Sequence, residues 1–322
     1  MSLWLILLSS LCCLVSAQWP QLCKTSGPTS AWNETRCPAT QSCSPNGFSV
    51  SGQGCCPWPG GVSCGDYACC PAGSTCVATG GSGYGSLFNC SGAGVPAGTT
   101  ARCPCKPGPP LPPSQTLKNV LILGDSLTIG LTPYVARALS DVALVQHAPW
   151  DVSDGGAEEV AYMVQCMDNW LHSPSGLPLH VDVIWFNSGM HNLLVPGPGV
   201  TPVPGQSDFY TNYPAGLATA TAALKAYASA TGTKLVYGLT TAFLCSAATD
   251  AIITADLNSN ATAIMAAAGI PVVDQHTPII EKCGAAPTPS CFGLKGCFCP
   301  HCPPGYSWLA STVIAPAIRA ML

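Results

Sequence analysis

Charge is what this sequence has least of. Asp, Glu, Lys and Arg together make up 8 % of its 322 residues, 15 acidic against 11 basic, for a formal net charge of −4. A field that weak does not draw in nucleic acid or an anionic membrane surface, so neither is expected as a partner. Long apolar runs are missing after the first 17 residues, and Pro316 and Arg319 interrupt the C-terminal stretch, so no later segment reads as a membrane span. The opening apolar run, Leu3 to Leu8 and Leu11 to Val15, is itself too short to cross a bilayer and closes on Val15-Ser16-Ala17, a small-residue cleavage pattern. Residues 1–17 are therefore expected to be a signal peptide, although no Lys or Arg precedes the run. A buried N-terminal helix is the alternative.

Cysteine, by contrast, is abundant. Keeping 21 of them unreactive in a reducing cytosol is hard, whereas in an oxidising compartment they become staples. Sequons at Asn33, Asn89 and Asn260 fit the same route, so the chain is expected to be a secreted, extracellular glycoprotein or to reach a lysosome-like compartment. Twelve cysteines fall between Cys23 and Cys105 in a Gly-, Pro- and Ser-rich stretch with no apolar period, which marks residues 18–105 as a small disulfide-framed domain. Within it, Cys55-Cys56-Pro57 and Cys69-Cys70-Pro71 followed by Cys76 resemble the granulin repeat, a ladder of stacked short hairpins. The string departs from that repeat at Ser63, where a cysteine is usual, and at Tyr67-Ala68, which is one residue short. Such a module implies protein contact or spacing rather than catalysis. Residues 106–117 begin with Lys106-Pro107-Gly108-Pro109-Pro110 and read as an extended, semi-rigid spacer.

From residue 118 onward the pattern changes. Apolar runs at Asn119 to Leu123, Val142 to Gln146, Val181 to Phe186, Lys234 to Leu239 and Ile270 to Val273 read as five buried strands. Helices fit between and after them, near Leu127 to Leu139, Ala157 to His172, Ala215 to Ala230, Thr249 to Ala268 and Ser307 to Met321. Alternation of that kind predicts an α/β fold, a doubly wound parallel five-stranded sheet with helices on both faces, whose site lies at the carboxyl ends of the strands.

The first strand runs into Leu123-Gly124-Asp125-Ser126-Leu127, which sets Ser126 on a strand-to-helix turn with its hydroxyl at the mouth of the sheet. A plain helix-capping serine would look the same in isolation. Taken with three blocks downstream of it, Gly124-Asp125-Ser126-Leu127 resembles the first block of the GDSL-type, or SGNH, hydrolases. The flavodoxin-like fold and a serine esterase activity are what that resemblance implies for residues 118–322. The block after the third strand reads Gly189-Met190-His191-Asn192: His191 holds the position of the family's oxyanion asparagine, and Asn192 stands one place later. Either side chain can donate to an oxyanion, with Asn192 preferred. The block that supplies a backbone amide maps to Gly155 or Gly156.

The last block aligns His301 as general base, but the aspartate that orients it in the family is replaced by Phe298. A backbone carbonyl or another acid must then hold the imidazole, and Asp274 at the end of strand five is a candidate. His276 is a rival base. Cys297, Cys299 and Cys302 around His301 allow a zinc-binding reading, though disulfides that lock the histidine loop are preferred in an oxidising compartment. Seven cysteines in residues 118–322 leave at least one to stay free or pair elsewhere.

The expected activity is hydrolysis of acetyl or acyl esters through an acyl-enzyme, with no cofactor and no metal. The substrate would be a small molecule or a glycan or lipid ester, with a protein partner for the cysteine-rich domain. The rival reading is an inactive scaffold that acts through its granulin-like module.

Overall fold

The computed structural model describes residues 21–23, 36–38, 40–45, 53–65, 68–78, 88–99, 101–102, 104–109, 112–150, 156–173, 176–193 and 213–322. The expected signal peptide, the Asn33 sequon, Gly155 and the loop 195–208 lie outside the described residues. Among the described residues no helix is long and apolar enough to cross a membrane.

Five parallel strands form the main sheet: β1 (Lys118–Leu123), β2 (Ala143–Ala148), β3 (Val183–Phe186), β4 (Lys234–Gly238) and β5 (Val272–Val273), in the order β2-β1-β3-β4-β5. The three inner strands β1, β3 and β4 run as continuous buried residues, because a parallel sheet covered on both faces buries both sides of its central strands. The edge strand β2 alternates buried and half-buried positions along its first four residues. In β1 and β3, Leu121, Ile122, Leu123, Ile184, Trp185 and Phe186 are each 2 % exposed or less. Burial of such a side chain contributes about 1.5–3 kcal/mol, so these two central strands supply a large share of the apolar stabilisation of the sheet.

The helices α1 (Ser126–Ala138), α2 (Val160–Leu171) and α3 (Tyr213–Thr231) follow β1, β2 and β3 in turn. The helix after β4 runs from α4 (Ala247–Ile252) through a π-helical turn (Ile253–Asn258) into α5 (Ser259–Ala268). A short helix not anticipated from the sequence, α6 (Thr277–Cys283), follows β5. The C-terminal helix is α7 (Pro303–Leu309), a π-helical turn (Ala310–Ile314) and α8 (Ala315–Arg319). The helices pack in two groups, α1 with α7 and its π-helical extension, and α2 with α3 and α5. Because the chain passes from β1 to β2 on one side and then returns to β3 on the other, the strand order reverses between β1 and β3, and a crevice opens at their carboxyl ends.

The cysteine-rich region is made of short antiparallel hairpins, pairing Gln21–Leu22 with Arg36–Cys37, Ser42–Pro45 with Gln53–Cys56, Val62–Ser63 with Cys69–Cys70, and Thr75–Ala78 with Phe88–Ser91. Disulfides Cys23–Cys43, Cys37–Cys55, Cys56–Cys69, Cys64–Cys76 and Cys70–Cys90 tie each hairpin to the next. Strands of two to four residues bury too little surface to hold themselves, so the bridges carry this region.

The segment expected as a spacer begins as something else. Cys105 pairs backbone to backbone with Cys55 and is disulfide-bonded to Cys166 in α2, which accounts for the odd cysteine of the larger domain. Lys106 is only 1 % exposed. Its amide donates to Tyr162 Oη, its carbonyl accepts from Trp170 Nε1, and its ammonium reaches Glu158 Oε1 at 2.7 Å and the Gly156 carbonyl at 3.0 Å. Gln41 and Asn169 add a reciprocal amide pair between the first hairpins and α2. Proline fixes φ and favours extension, but these anchors turn the first residues of the segment into a buried strut.

Candidate active site

The turn that carries Ser126 is built from below. Gly124 has no room for a side chain: a Cβ there would stand 2.8 Å from Thr128 Cγ2 and 2.9 Å from the Asn187 carbonyl, so the ends of β1 and β3 meet only because this residue is glycine. Asp125 caps α1, its Oδ1 accepting the Leu127 amide at 3.0 Å. Burial pushes the Asp125 carboxyl above its usual range, against the pull of His191 and the Leu127 amide. Thr128 Oγ1 sits 2.7 Å from the Asp125 carbonyl and 2.8 Å from His147 Nε2, while His147 Nδ1 donates to the Pro149 carbonyl at 2.6 Å. Burial lowers the His147 pKa to about 4, so a neutral imidazole supports the turn that carries Ser126.

Ser126 itself is half-buried at the first position of α1, with its Oγ 3.4 Å from His301 Nε2. His301 is exposed at the rim. The structure brings this histidine, not His276, to the serine. His276 Nε2 is engaged 3.0 Å from Asp250 Oδ1 and 3.2 Å from Thr254 Oγ1.

The loop that holds His301 is pinned by disulfides Cys297–Cys302 and Cys245–Cys299, with Cys283–Cys291 just before it. All three sulfurs of the zinc reading are bonded to other sulfurs, so Cys297, Cys299 and Cys302 have no thiolate to offer a metal, and His301 faces Ser126 instead. Phe298 is fully buried, its carbonyl accepting from the Leu244 amide at 2.9 Å and its amide donating to the His301 carbonyl at 3.1 Å.

Asp274 does not orient His301. Its Oδ1 accepts the amides of His276 at 2.8 Å and Thr277 at 3.0 Å, in the turn that leads into α6. Against a burial that would raise it, hydrogen bonds from Thr277 and His276 hold the Asp274 carboxyl below its usual range. The group at His301 Nδ1 is the hydroxyl of Tyr306, 2.7 Å away on the first turn of α7. Gly305-Tyr306 matches the last block of the family that the sequence resembles and favours His301 over His276 on that ground, but the sequence alone assigns Tyr306 no contact with the imidazole.

Beside the same turn as Ser126, Gly156 forms an antiparallel bridge with Asp125, and the Ala157 amide donates to the Gly124 carbonyl at 2.8 Å. With φ at +58° and a hypothetical Cβ only 2.5 Å from the Gly124 carbonyl, Gly156 is restricted to glycine by both backbone and space. Asn192 is 1 % exposed and its Oδ1 accepts the Val160 amide at 3.3 Å, at the start of α2. With the oxygen turned to α2, the NH2 is the half of that amide that supplies donors. His191, beside it, is half-buried and lies close to Asp125 and Glu159, whose carboxyls burial raises above their usual range against its electrostatic pull.

The turn bearing Asn192 has supports the sequence did not announce. The hydroxyls of Tyr237 and Tyr213 both donate to the Ser188 carbonyl, at 2.7 and 3.1 Å, and Asn187 Nδ2 donates to the Gly238 carbonyl at 2.8 Å. Burial raises both phenols, Tyr237 to about 12, so they remain donors across the physiological range.

No protein-family model and no curated protein matches the chain. Among solved structures, it is similar to a GDSL-like lipase from Bacteroides thetaiotaomicron, with 13 % identity and a TM-score of 0.44 over 66 % of this chain and 93 % of that one. It is also similar to a carbohydrate acetylesterase from Sinorhizobium meliloti, with 14 % identity and a TM-score of 0.41 over 64 % of this chain and 100 % of that one. A member of the lipolytic G-D-S-L family from Veillonella parvula shares 17 % identity and a TM-score of 0.39 over 60 % of this chain and 94 % of that one. What the chain does chemically is decided by its own side chains.

Proposed function

We propose that this protein is a secreted serine hydrolase of carboxylic esters. The observation that carries the reading is Ser126 Oγ standing 3.4 Å from His301 Nε2 at the carboxyl edge of β1, where both groups are accessible. That spacing is at the long end for a hydrogen bond, and catalytic pairs commonly tighten once substrate is in place.

In the proposed reaction the Ser126 oxygen attacks the ester carbonyl as its proton passes to His301 Nε2. Negative charge gathers on the former carbonyl oxygen, where the Gly156 amide and the Asn192 NH2 are the assigned donors. Gly155, outside the described residues, and His191, half-buried, are the alternatives for those two positions. Collapse expels the alcohol, which takes the proton from His301, and leaves an acyl ester on Ser126. Water, deprotonated by the same imidazole, then attacks the acyl carbon and releases the acid. A positioned general base is worth about 10²- to 10⁴-fold in such a step, and each oxyanion donor about 10²- to 10³-fold. No cofactor is called on.

Nine disulfides among the described residues support an oxidising compartment and hence the secreted reading. The granulin-like hairpin region is assigned a spacing or protein-contact role. Asn89 is exposed on a hairpin strand, whereas the Asn260 amide donates to the Asp256 carbonyl within a helix, so Asn89 is the sequon better placed to carry a glycan.

Hydrolysis of p-nitrophenyl acetate, butyrate and octanoate by the secreted protein tests the reading, alongside Ser126→Ala and His301→Ala. Both variants are expected to lose at least about 10³-fold in kcat while keeping the wild-type fold. Turnover unchanged in Ser126→Ala overturns Ser126 as the nucleophile, and a folded wild type that neither hydrolyses esters nor reacts at Ser126 with a fluorophosphonate overturns the hydrolase reading in favour of a binding scaffold.

A further inference from the structure

His301 lacks the aspartate three residues before it that would ordinarily orient such a base, because Phe298 stands there. We propose that Tyr306 does that work: its hydroxyl oxygen accepts the Nδ1–H of His301 and so fixes the tautomer whose Nε2 lone pair faces Ser126. This rests on the Ser126–His301 reading.

The contact is short, 2.7 Å between Nδ1 and Oη. A neutral imidazole can pair with a hydroxyl in either sense, as donor or acceptor. The imidazolium cannot. Once Nε2 has taken the serine proton both ring nitrogens carry hydrogen, and Nδ1–H has to donate to Tyr306 Oη. The state in which the contact matters for rate is thus the state in which its direction is settled. A hydroxyl that accepts there, and accepts beforehand, needs no rearrangement as the proton moves.

Tyr306 remains a phenol throughout. Burial, with added repulsion from Asp125 and Tyr134, pushes its hydroxyl far above the usual tyrosine range. It therefore orients the imidazole by a dipole and a lone pair, not by a countercharge, which is how it differs from the aspartate it replaces.

The ring is held for that purpose. A Cβ at Gly130 would lie 2.4 Å from Tyr306 Cε2, so the phenol ring rests directly on α1, four residues and about one turn after Ser126. Its other side meets Phe298 edge to face, with ring centroids 6.2 Å apart and planes 73° apart. Phe298 thus takes the aspartate's position and supports its replacement. The disulfide Cys297–Cys302 closes the loop between Phe298 and α7, which fixes the histidine and the tyrosine relative to each other.

Tyr306→Phe keeps the ring and its packing and removes only the oxygen. The expected result is a kcat about 10- to 100-fold lower with KM changed less than about twofold, the loss expected when a hydrogen bond to a charged group is withdrawn. The readout that packing alone does not move is the imidazole tautomer, followed by 15N NMR with the His301 signal assigned from His301→Gln. The wild type should show His301 protonated at Nδ1 in the neutral state, and Tyr306→Phe should shift population toward the Nε2–H form. Gly130→Ala, which keeps the hydroxyl but pushes the ring off α1, should lower kcat in the same way. A wild-type Nε2–H tautomer, or a Tyr306→Phe variant with kcat within twofold of wild type, overturns the proposal even where Ser126→Ala is inactive. If the wild type proves inert toward esters and fluorophosphonate, the hydrolase reading fails by itself and the tautomer still decides Tyr306.

Discussion

Lys106→Met is the perturbation that tests most of this architecture at once. The Lys106 side chain is 1 % exposed and that of Glu158 is 9 %, with 2.7 Å between Nζ and Oε1. The ammonium also donates to the Gly156 carbonyl at 3.0 Å and lies 5.5 Å above the ring of Tyr162. Methionine fills the space but withdraws the charge, leaving the Glu158 carboxylate buried opposite a thioether. Removing one partner of a buried pair typically costs about 3–5 kcal/mol, and a carbonyl deprived of its donor about 1–3 kcal/mol. These overlap, so a loss of about 4 kcal/mol is expected, a large part of the 5–15 kcal/mol that holds an ordinary domain. Urea unfolding at pH 7 followed by tryptophan fluorescence measures it. Lys106→Met with Glu158→Gln should be more stable than Lys106→Met alone, since no charge is then left unpaired. Where the single variant still folds, its kcat should fall as well, because Gly156 loses the group that holds its carbonyl beside the serine turn. A loss under about 1 kcal/mol with unchanged kcat would refute the idea that the strut supports the site.

Two further outcomes are expected from buried groups away from Ser126. His147, with a folded pKa of about 4 against 6.5 unfolded, binds fewer protons when folded, so its contribution is whole above pH 6.5 and is lost as pH falls toward 4. At about 1.4 kcal/mol per unit this removes about 3 kcal/mol over that window. His147→Gln should flatten the acid limb of stability, and parallel curves for the two proteins would sink the assignment. The Cys105–Cys166 bridge closes 61 residues, for which chain entropy alone gives about 4 kcal/mol. Cys105→Ser with Cys166→Ser should lower the urea midpoint accordingly, and an unchanged midpoint would show that the remaining contacts between hairpins and α2 suffice.

The parts of the fold that were legible in the sequence are those written locally. Val183 to Phe186 is an uninterrupted apolar run because β3 is buried on both faces, and Ser126 stood out because it closes such a run and opens a helix. The parts that were not legible depend on contacts made across the chain. Asp274 has the right chemistry for a catalytic acid, yet its oxygen is taken by two amides of the turn after it, a local competition that spacing alone does not reveal. Lys106 sits in a proline-rich string that elsewhere means a solvated spacer. Only the folded chain shows Glu158, more than fifty residues later, waiting for its ammonium.

Tyr306 and Lys106 share a logic that links the cysteine-rich region to the chemistry. In each case an element of the proposed site is steadied by a group the surrounding disulfides hold in place: Cys297–Cys302 closes the loop that sets Tyr306 against His301, and Cys105–Cys166 fastens the strand that brings Lys106 under Gly156. Reduction should therefore act on the site before it unfolds the sheet. The five strands contain no cysteine and keep their buried Leu, Ile and Val contacts, while the histidine loop and the Gly156 turn lose their anchors. Mild thiol treatment is expected to abolish esterase turnover while far-UV circular dichroism still reports the α/β domain. Loss of both signals together would mean that the bridges hold up the whole fold and not the site in particular.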